Sequence, residues 1–238
     1  MGTAPIAIPS VVLLHGAFLD GSCWDGVIER LQARQYGVIA VQVPLGSLAE
    51  AAAATRRALA RTSAPVILVG HSWSGVVITE AGTDPKVAGL VYVAAGAPDA
   101  GESFNDLLQL SATAMPGVVG IQPDADGFLW YDGGKFHAGL AADVEEARAW
   151  RLAAVQQPVA AQAFADPVTN VAWRSKPSWY AISASDAILE PALQQRMAQR
   201  IDARTVTLAG ASHCSMVSQP QAVTDLILAA IERVGRRE

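Results

Sequence analysis

Short apolar runs and amphipathic stretches alternate along the first hundred residues. Residues 11–14 (VVLL), 38–43, 66–69 (VILV) and 90–94 are nearly continuous runs of apolar, often β-branched side chains. Between them, 23–35, 48–61 and 76–81 carry helical patterns, with Val27, Ile28 and Leu31 on one face of the first. Strands apolar on both faces, separated by helices, predict a mostly parallel sheet with helices on both faces.

After residue 95 the rhythm breaks. Residues 98–172 hold scattered glycines and prolines, several aromatics (Phe104, Phe128, Trp130, Tyr131, Phe136, Trp150, Phe164) and mostly helical patterns, clearest over 143–157. The strand–helix rhythm resumes with a strand at 178–183, a helix at 191–200, a strand at 205–208 and a helix at 219–234. The pattern predicts an α/β core made of 1–97 and 173–238, interrupted by an inserted helical cap, 98–172. A second small domain without a functional tie to the core is the alternative.

Composition narrows the function classes. In 238 residues, 51% are hydrophobic and 16% charged, enough for a sizeable core. A net charge of −5 argues against nucleic acid or an anionic membrane as the main partner. The apolar runs are strand-length, and the start, MGTAPIAIPS, lacks the basic and apolar regions of an export leader, so a cytoplasmic protein is expected. Cys23 and Cys214 form no CxxC motif and read as reduced thiols, with a disulfide as the open alternative. The four histidines show no metal-ligand spacing, so neither a metal nor another cofactor is expected.

The chemistry concentrates at GHSWSG, residues 70–75. A strand runs into this segment and a helix leaves it, the setting of a nucleophile elbow, in which the residues flanking the serine must be small because two backbones nearly touch. Ser72 is flanked at −2 and +2 by Gly70 and Ser74; Ser74 is flanked by Ser72 and the β-branched Val76. Ser72 is therefore the candidate nucleophile, and Ser74 is tolerable at +2 if its hydroxyl finds a partner. A serine needs a base, and the base needs an orienting acid. Downstream lie only His137, in the cap, and His213, in a loop after a core strand; the second is the candidate base. Asp186, just past strand 178–183, is the candidate acid, with Asp99 as runner-up and a helix-capping role as its alternative reading. The oxyanion donors would be the N–H of Trp73 and that of Ala17, with Phe18 as the alternate. Phe18, Met115, Phe128 and Trp130 are candidate pocket residues, with Leu140 as an alternative to Met115, while His15 reads as a structural shaper of its loop.

With these motifs in view, the chain resembles the α/β-hydrolase superfamily, in particular its cofactor-free branch of plant methylesterases, hydroxynitrile lyases and small bacterial esterases. The matching pieces run in order over nearly all the core: VVLLHGAFLDGSCW, VPLGSLAEAAAATRRAL, VILVGHSWSGVVITEAG, VAGLVYVAAGAPDAGES, SASDAILEPALQQRMA and AGASHCSMVSQPQAV. The resemblance implies a triad of Ser72, Asp186 and His213, with Ala17 and Trp73 as oxyanion donors. It also implies a small-molecule ester as the partner. Dehalogenases and epoxide hydrolases of the superfamily carry aspartate at the nucleophile position, where this chain has Ser72. The plant hydroxynitrile lyases carry lysine after the catalytic histidine, where this chain has Cys214. The expectation is a serine carboxylesterase for small, fairly apolar esters. The alternatives are a slow-hydrolysing ligand sensor that recruits a partner protein, or a perhydrolase, lactonase or C–C hydrolase.

Overall fold

A computed structural model describes residues 9–62 and 65–235. Most of the leading segment read above for an export leader lies outside the described residues. The first half runs β1 (Ser10–Leu14), α1 (Asp25–Gln32), β2 (Gly37–Val41), α2 (Leu48–Ala60), β3 (Val66–His71), α3 (Ser74–Ala81) and β4 (Val87–Val93). After the inserted segment come β8 (Ser178–Ser183), α8 (Pro191–Arg200), β9 (Arg204–Leu208), α9 (Ser215–Ser218) and α10 (Pro220–Gly235). The six core strands form one parallel sheet in the order β2-β1-β3-β4-β8-β9.

Burial follows strand position. Strands β3 and β8 are buried at every residue, whereas the edge strands β2 and β9 are largely exposed or half-buried. The uninterrupted apolar runs are thus the central strands, covered on both faces, and each fully buried aliphatic side chain stabilises the fold by ~1.5–3 kcal/mol.

The order reverses at β1. The chain steps outward to β2 through α1, then returns past β1 to β3 through α2. Right-handed crossovers in opposite directions put those two helices on opposite faces. The packing agrees: α1 lies against α10, and α2 against α3. The loops after β1 and β3 therefore meet at a topological switch point, where a parallel sheet opens a crevice at its carboxyl edge.

The inserted segment contains α4 (Phe104–Leu108), a 3₁₀ turn Pro116–Gly120, β5 (Ile121–Pro123), β6 (Phe128–Tyr131), α5 (Gly133–Leu140), α6 (Glu146–Ala154), β7 (Val159–Ala160) and α7 (Ala161–Ala165). It is not purely helical, because β5, β6 and β7 pair as a small antiparallel sheet. Its helix predicted over 143–157 is confined to α6, which Glu145 caps through the N–H groups of Ala147 and Arg148. The segment returns to the core at Glu80 of α3, whose carboxylate accepts from the backbone N–H groups of Thr169 (2.8 Å) and Asn170 (2.9 Å). Burial pushes that carboxyl's pKa up, but these bonds and the side chains of the same two residues outweigh burial and hold it below its ordinary value.

Candidate active site

The turn from β3 to α3 forces Ser72 into a left-handed conformation, φ 55°, which a non-glycine residue adopts only under constraint. A side chain at Gly70 would come within 2.5 Å of the Ser74 carbonyl, and one at Gly75 would overlap the Gly96 carbonyl. The crowded positions are thus −2 and +3 relative to Ser72. Ser74 is free to carry a side chain, and its hydroxyl donates to the His15 carbonyl. That bond joins the elbow to the loop after β1. Gly16 completes the junction, since a Cβ there would meet Ser72 Cβ at 2.6 Å.

Three residues from three strand ends converge in one chain. Ser72 Oγ lies 2.8 Å from His213 Nε2, and His213 Nδ1 lies 2.7 Å from Asp186 Oδ2. Ser72 and His213 are buried, and the Asp186 side chain is wholly inaccessible. Asp186 Oδ1 accepts from the N–H groups of Ile188 (2.8 Å) and Leu189 (2.9 Å), so the carboxylate organises its own loop as well as facing the imidazole. Because the carboxylate accepts from Nδ1–H, Nε2 of a neutral ring is left to accept from Ser72. Asp99, the alternative acid, instead pairs with Arg174 at 2.5 Å on the surface, and His137 contacts the Val144 carbonyl within the cap.

The other two histidines are structural. His15 contacts the Gly16 carbonyl through Nδ1 and accepts from the Val43 N–H through Nε2, both at 2.9 Å, and burial pulls its pKa down. His71 donates from Nε2 to the His213 carbonyl at 2.9 Å, its ring tilted 53° against that of His213 at a 4.7 Å separation. Burial, then the neighbouring His213, pushes the His71 pKa well down, so it stays neutral beside the candidate base.

Ala17, Phe18 and Trp73 stand beside Ser72 in the chain or across the switch point, and among the described residues nothing accepts a hydrogen bond from their backbone N–H groups. Phe18 has φ 61°, so the loop after β1 is held in an unusual shape. The Trp73 indole N–H donates to the Ala163 carbonyl at 3.0 Å, and its ring packs behind Phe164.

A cavity of about 30 Å³ opens onto Ser72 and His213. It is walled by Ala17, Phe18, Phe104, Leu108, Val118, Ile121, Leu140, Phe164 and Ile188. Among the described residues, Ser72 and His213 are its only polar lining residues. The structure brings Phe18 and Leu140 to it but not Met115, Phe128 or Trp130. Trp130 is 41% exposed and bonds Asp124 through its indole N–H, because β6 turns that residue to solvent. Met115 and Phe128 are half-buried, the first just ahead of the 3₁₀ turn and the second on the same strand as Trp130. The inserted segment also braces His213: the Leu140 carbonyl accepts from the Cys214 N–H at 3.0 Å and the Ser212 hydroxyl at 3.2 Å, on either side of it. Cys214 is free and buried, its thiol pKa pushed up by burial and then by Asp186 and Asp143; Cys23 is likewise free and buried.

A relative from Aspergillus novofumigatus named alpha/beta hydrolase nvfD is 28% identical over 92% of this chain and 95% of its own. A pyrethroid hydrolase of Sphingobium wenxiniae is 33% identical over a shorter stretch, 38% of this chain and 37% of its own. Among solved structures, a pyrethroid hydrolase from Sphingobium faniae superposes with a TM-score of 0.81 at 23% identity, over 94% of this chain and 97% of that one. Polyneuridine aldehyde esterase does so at 0.80 and 16% identity, over 93% and 98%. The model of the alpha/beta hydrolase family matches residues 11–226, which takes in the switch point, the elbow, the cap and both later strand ends, and this chain belongs to that family.

Proposed function

We propose that the protein is a serine carboxylesterase acting on small, uncharged, fairly apolar esters. The reading is carried by the hydrogen-bonded chain Ser72–His213–Asp186 at 2.8 and 2.7 Å, placed at the mouth of an apolar cavity. His213 takes the Ser72 proton through Nε2 as Oγ attacks the ester carbonyl, and Asp186 supports the imidazolium through Nδ1–H. The oxyanion is received by the N–H of Trp73 and that of Ala17 or Phe18, each worth ~3–4 kcal/mol of barrier. His213 returns the proton to the departing alcohol, then activates a water that releases the acid from Ser72. The core, 1–97 and 173–238, supplies this machinery, and the cap, 98–172, supplies most of the cavity wall. A lining with no charged side chain favours esters uncharged on both sides of the scissile bond.

Turnover of acetyl and butyryl p-nitrophenyl esters, paired with labelling by a serine-reactive fluorophosphonate, tests the assignment. The expected result is hydrolysis abolished in Ser72→Ala and a single label on the peptide containing Ser72. Turnover that survives in Ser72→Ala, or a label elsewhere, overturns it.

A further inference from the structure

Helix α8 buries leucine, methionine and alanine at Leu193, Met197 and Ala198, yet one polar residue, Gln194, sits among them with no solvent exposure. A buried amide is destabilising unless its groups are bonded, and here three bonds are made. Gln194 Oε1 accepts from the Ser183 N–H at 2.9 Å. Gln194 Nε2 donates to the Leu189 carbonyl at 2.6 Å and to Asp186 Oδ2 at 2.9 Å. The backbone partners fix which end of the amide is which. Ser183 offers only a donor and Leu189 only an acceptor, so the N–H facing Asp186 is set by the fold.

The oxygen that receives this N–H is the one that faces His213 Nδ1. Asp186 therefore holds two backbone donors on Oδ1, and on Oδ2 one donor from Gln194 and one from the base. Gln194 also ties the end of β8 to the turn that follows Asp186. We propose that Gln194 is a positioning residue of the esterase site: it aims Asp186 Oδ2 at the His213 imidazole and shares that oxygen's charge with it. The proposal rests on the esterase reading of Ser72, His213 and Asp186. Gln194 touches no reacting atom.

The consequence has a direction. An N–H donated to a carboxylate stabilises its charge, so removing the donor leaves Asp186 Oδ2 to bond the imidazolium alone and more strongly. In Gln194→Met, kcat should fall about ten- to a hundredfold, since one hydrogen bond to a charged group is lost. KM should change little, because Gln194 does not line the cavity. The acid limb of the kcat/KM profile should move to higher pH by about half a unit to one unit. Gln194→Asn keeps a side-chain amide but draws it back by one methylene from Asp186, and should move the limb the same way; it stands in if the methionine variant fails to fold. Gln195→Met, exposed on the same helix, is the control and should alter neither quantity.

The low-field proton resonance of the His213–Asp186 bond gives a second readout that needs no turnover. It should shift in Gln194→Met or Gln194→Asn and stay in place in Gln195→Met. An unmoved resonance and an unmoved pH profile in a folded Gln194 variant overturn the proposal. A shifted resonance in a protein that hydrolyses no ester overturns the esterase reading and leaves the role of Gln194 in holding Asp186 supported.

Discussion

The two walls of the cavity beside Ser72 are built differently. On the core side, Ser72, His213 and Asp186 and their supports are fixed by directional bonds: Ser74 to His15, His71 to His213, Gln194 to Asp186. On the cap side, Phe104, Leu108, Val118, Ile121, Leu140 and Phe164 meet the cavity only with carbon. Directional bonds hold atoms to within tenths of an ångström, as proton transfer requires. Apolar contacts specify volume and tolerate rearrangement. On the proposed reading, one wall serves chemistry and the other fit. The Leu140 carbonyl is where they join, since it braces both neighbours of His213 while its side chain lines the cavity.

Substitutions on the two walls should differ in kind. The largest effect is expected from Asp186→Asn, which keeps the shape but favours the wrong imidazole tautomer. kcat for a p-nitrophenyl ester should drop by ~10⁴-fold with little change in KM, and a loss under tenfold would place the acid elsewhere. Ser74→Ala should be milder. It strands the buried His15 carbonyl and loosens the tie between elbow and oxyanion loop, costing ~1–3 kcal/mol of stability in a denaturant melt and about tenfold in kcat.

The pH dependence of stability comes next. Burial lowers the His71 pKa well below 6.5, so the unfolded chain binds its proton more readily than the folded one. That contribution to stability is complete above the unfolded value of 6.5 and is lost progressively as pH falls toward the folded value. Wild type should therefore lose Tm more steeply than His71→Gln as pH is lowered below about 6.5. Equal slopes would show that His71 does not sense the proton.

Cap changes should be smallest and confined to specificity. Val118 lines the cavity and, at 36%, is the most exposed of its lining residues, so its side chain reaches both the site and solvent. The cavity is small, about 30 Å³, so its wall should limit the bulk of the ester. Val118→Ala should raise kcat/KM for bulky esters a few-fold relative to acetyl esters, whereas Trp130→Ala, on the solvent side of β6, should leave the ratio unchanged. A ratio altered by Trp130→Ala and not by Val118→Ala would reverse the two assignments.

The core was legible because its signals are local. Strands at 178–183 and helices at 191–200 were readable to the residue, since each is an uninterrupted run or stripe bounded by proline or polar residues. The convergence of Ser72, Asp186 and His213 was legible because each follows a core strand, and a parallel sheet gathers such positions at one edge. The cap was less so. Phe128 and Trp130 read as pocket aromatics, but a two-residue period on β6 and the Asp124 partner of Trp130 turn them away. Gln194 left a faint trace, a polar residue on an otherwise apolar helical stripe, whose meaning depends on Ser183, Leu189 and Asp186 closing around it.

By itself the sequence determined the parallel sheet, the order of its elements and the three residues whose types suit nucleophile, base and acid. Those follow from periodicity and from chain position relative to strand ends. Only the tertiary structure decided what Ser74 does, which side chains enclose the cavity and which amide faces Asp186. Each of these depends on backbones distant in sequence arriving within hydrogen-bond or van der Waals reach, and no local pattern encodes such an approach.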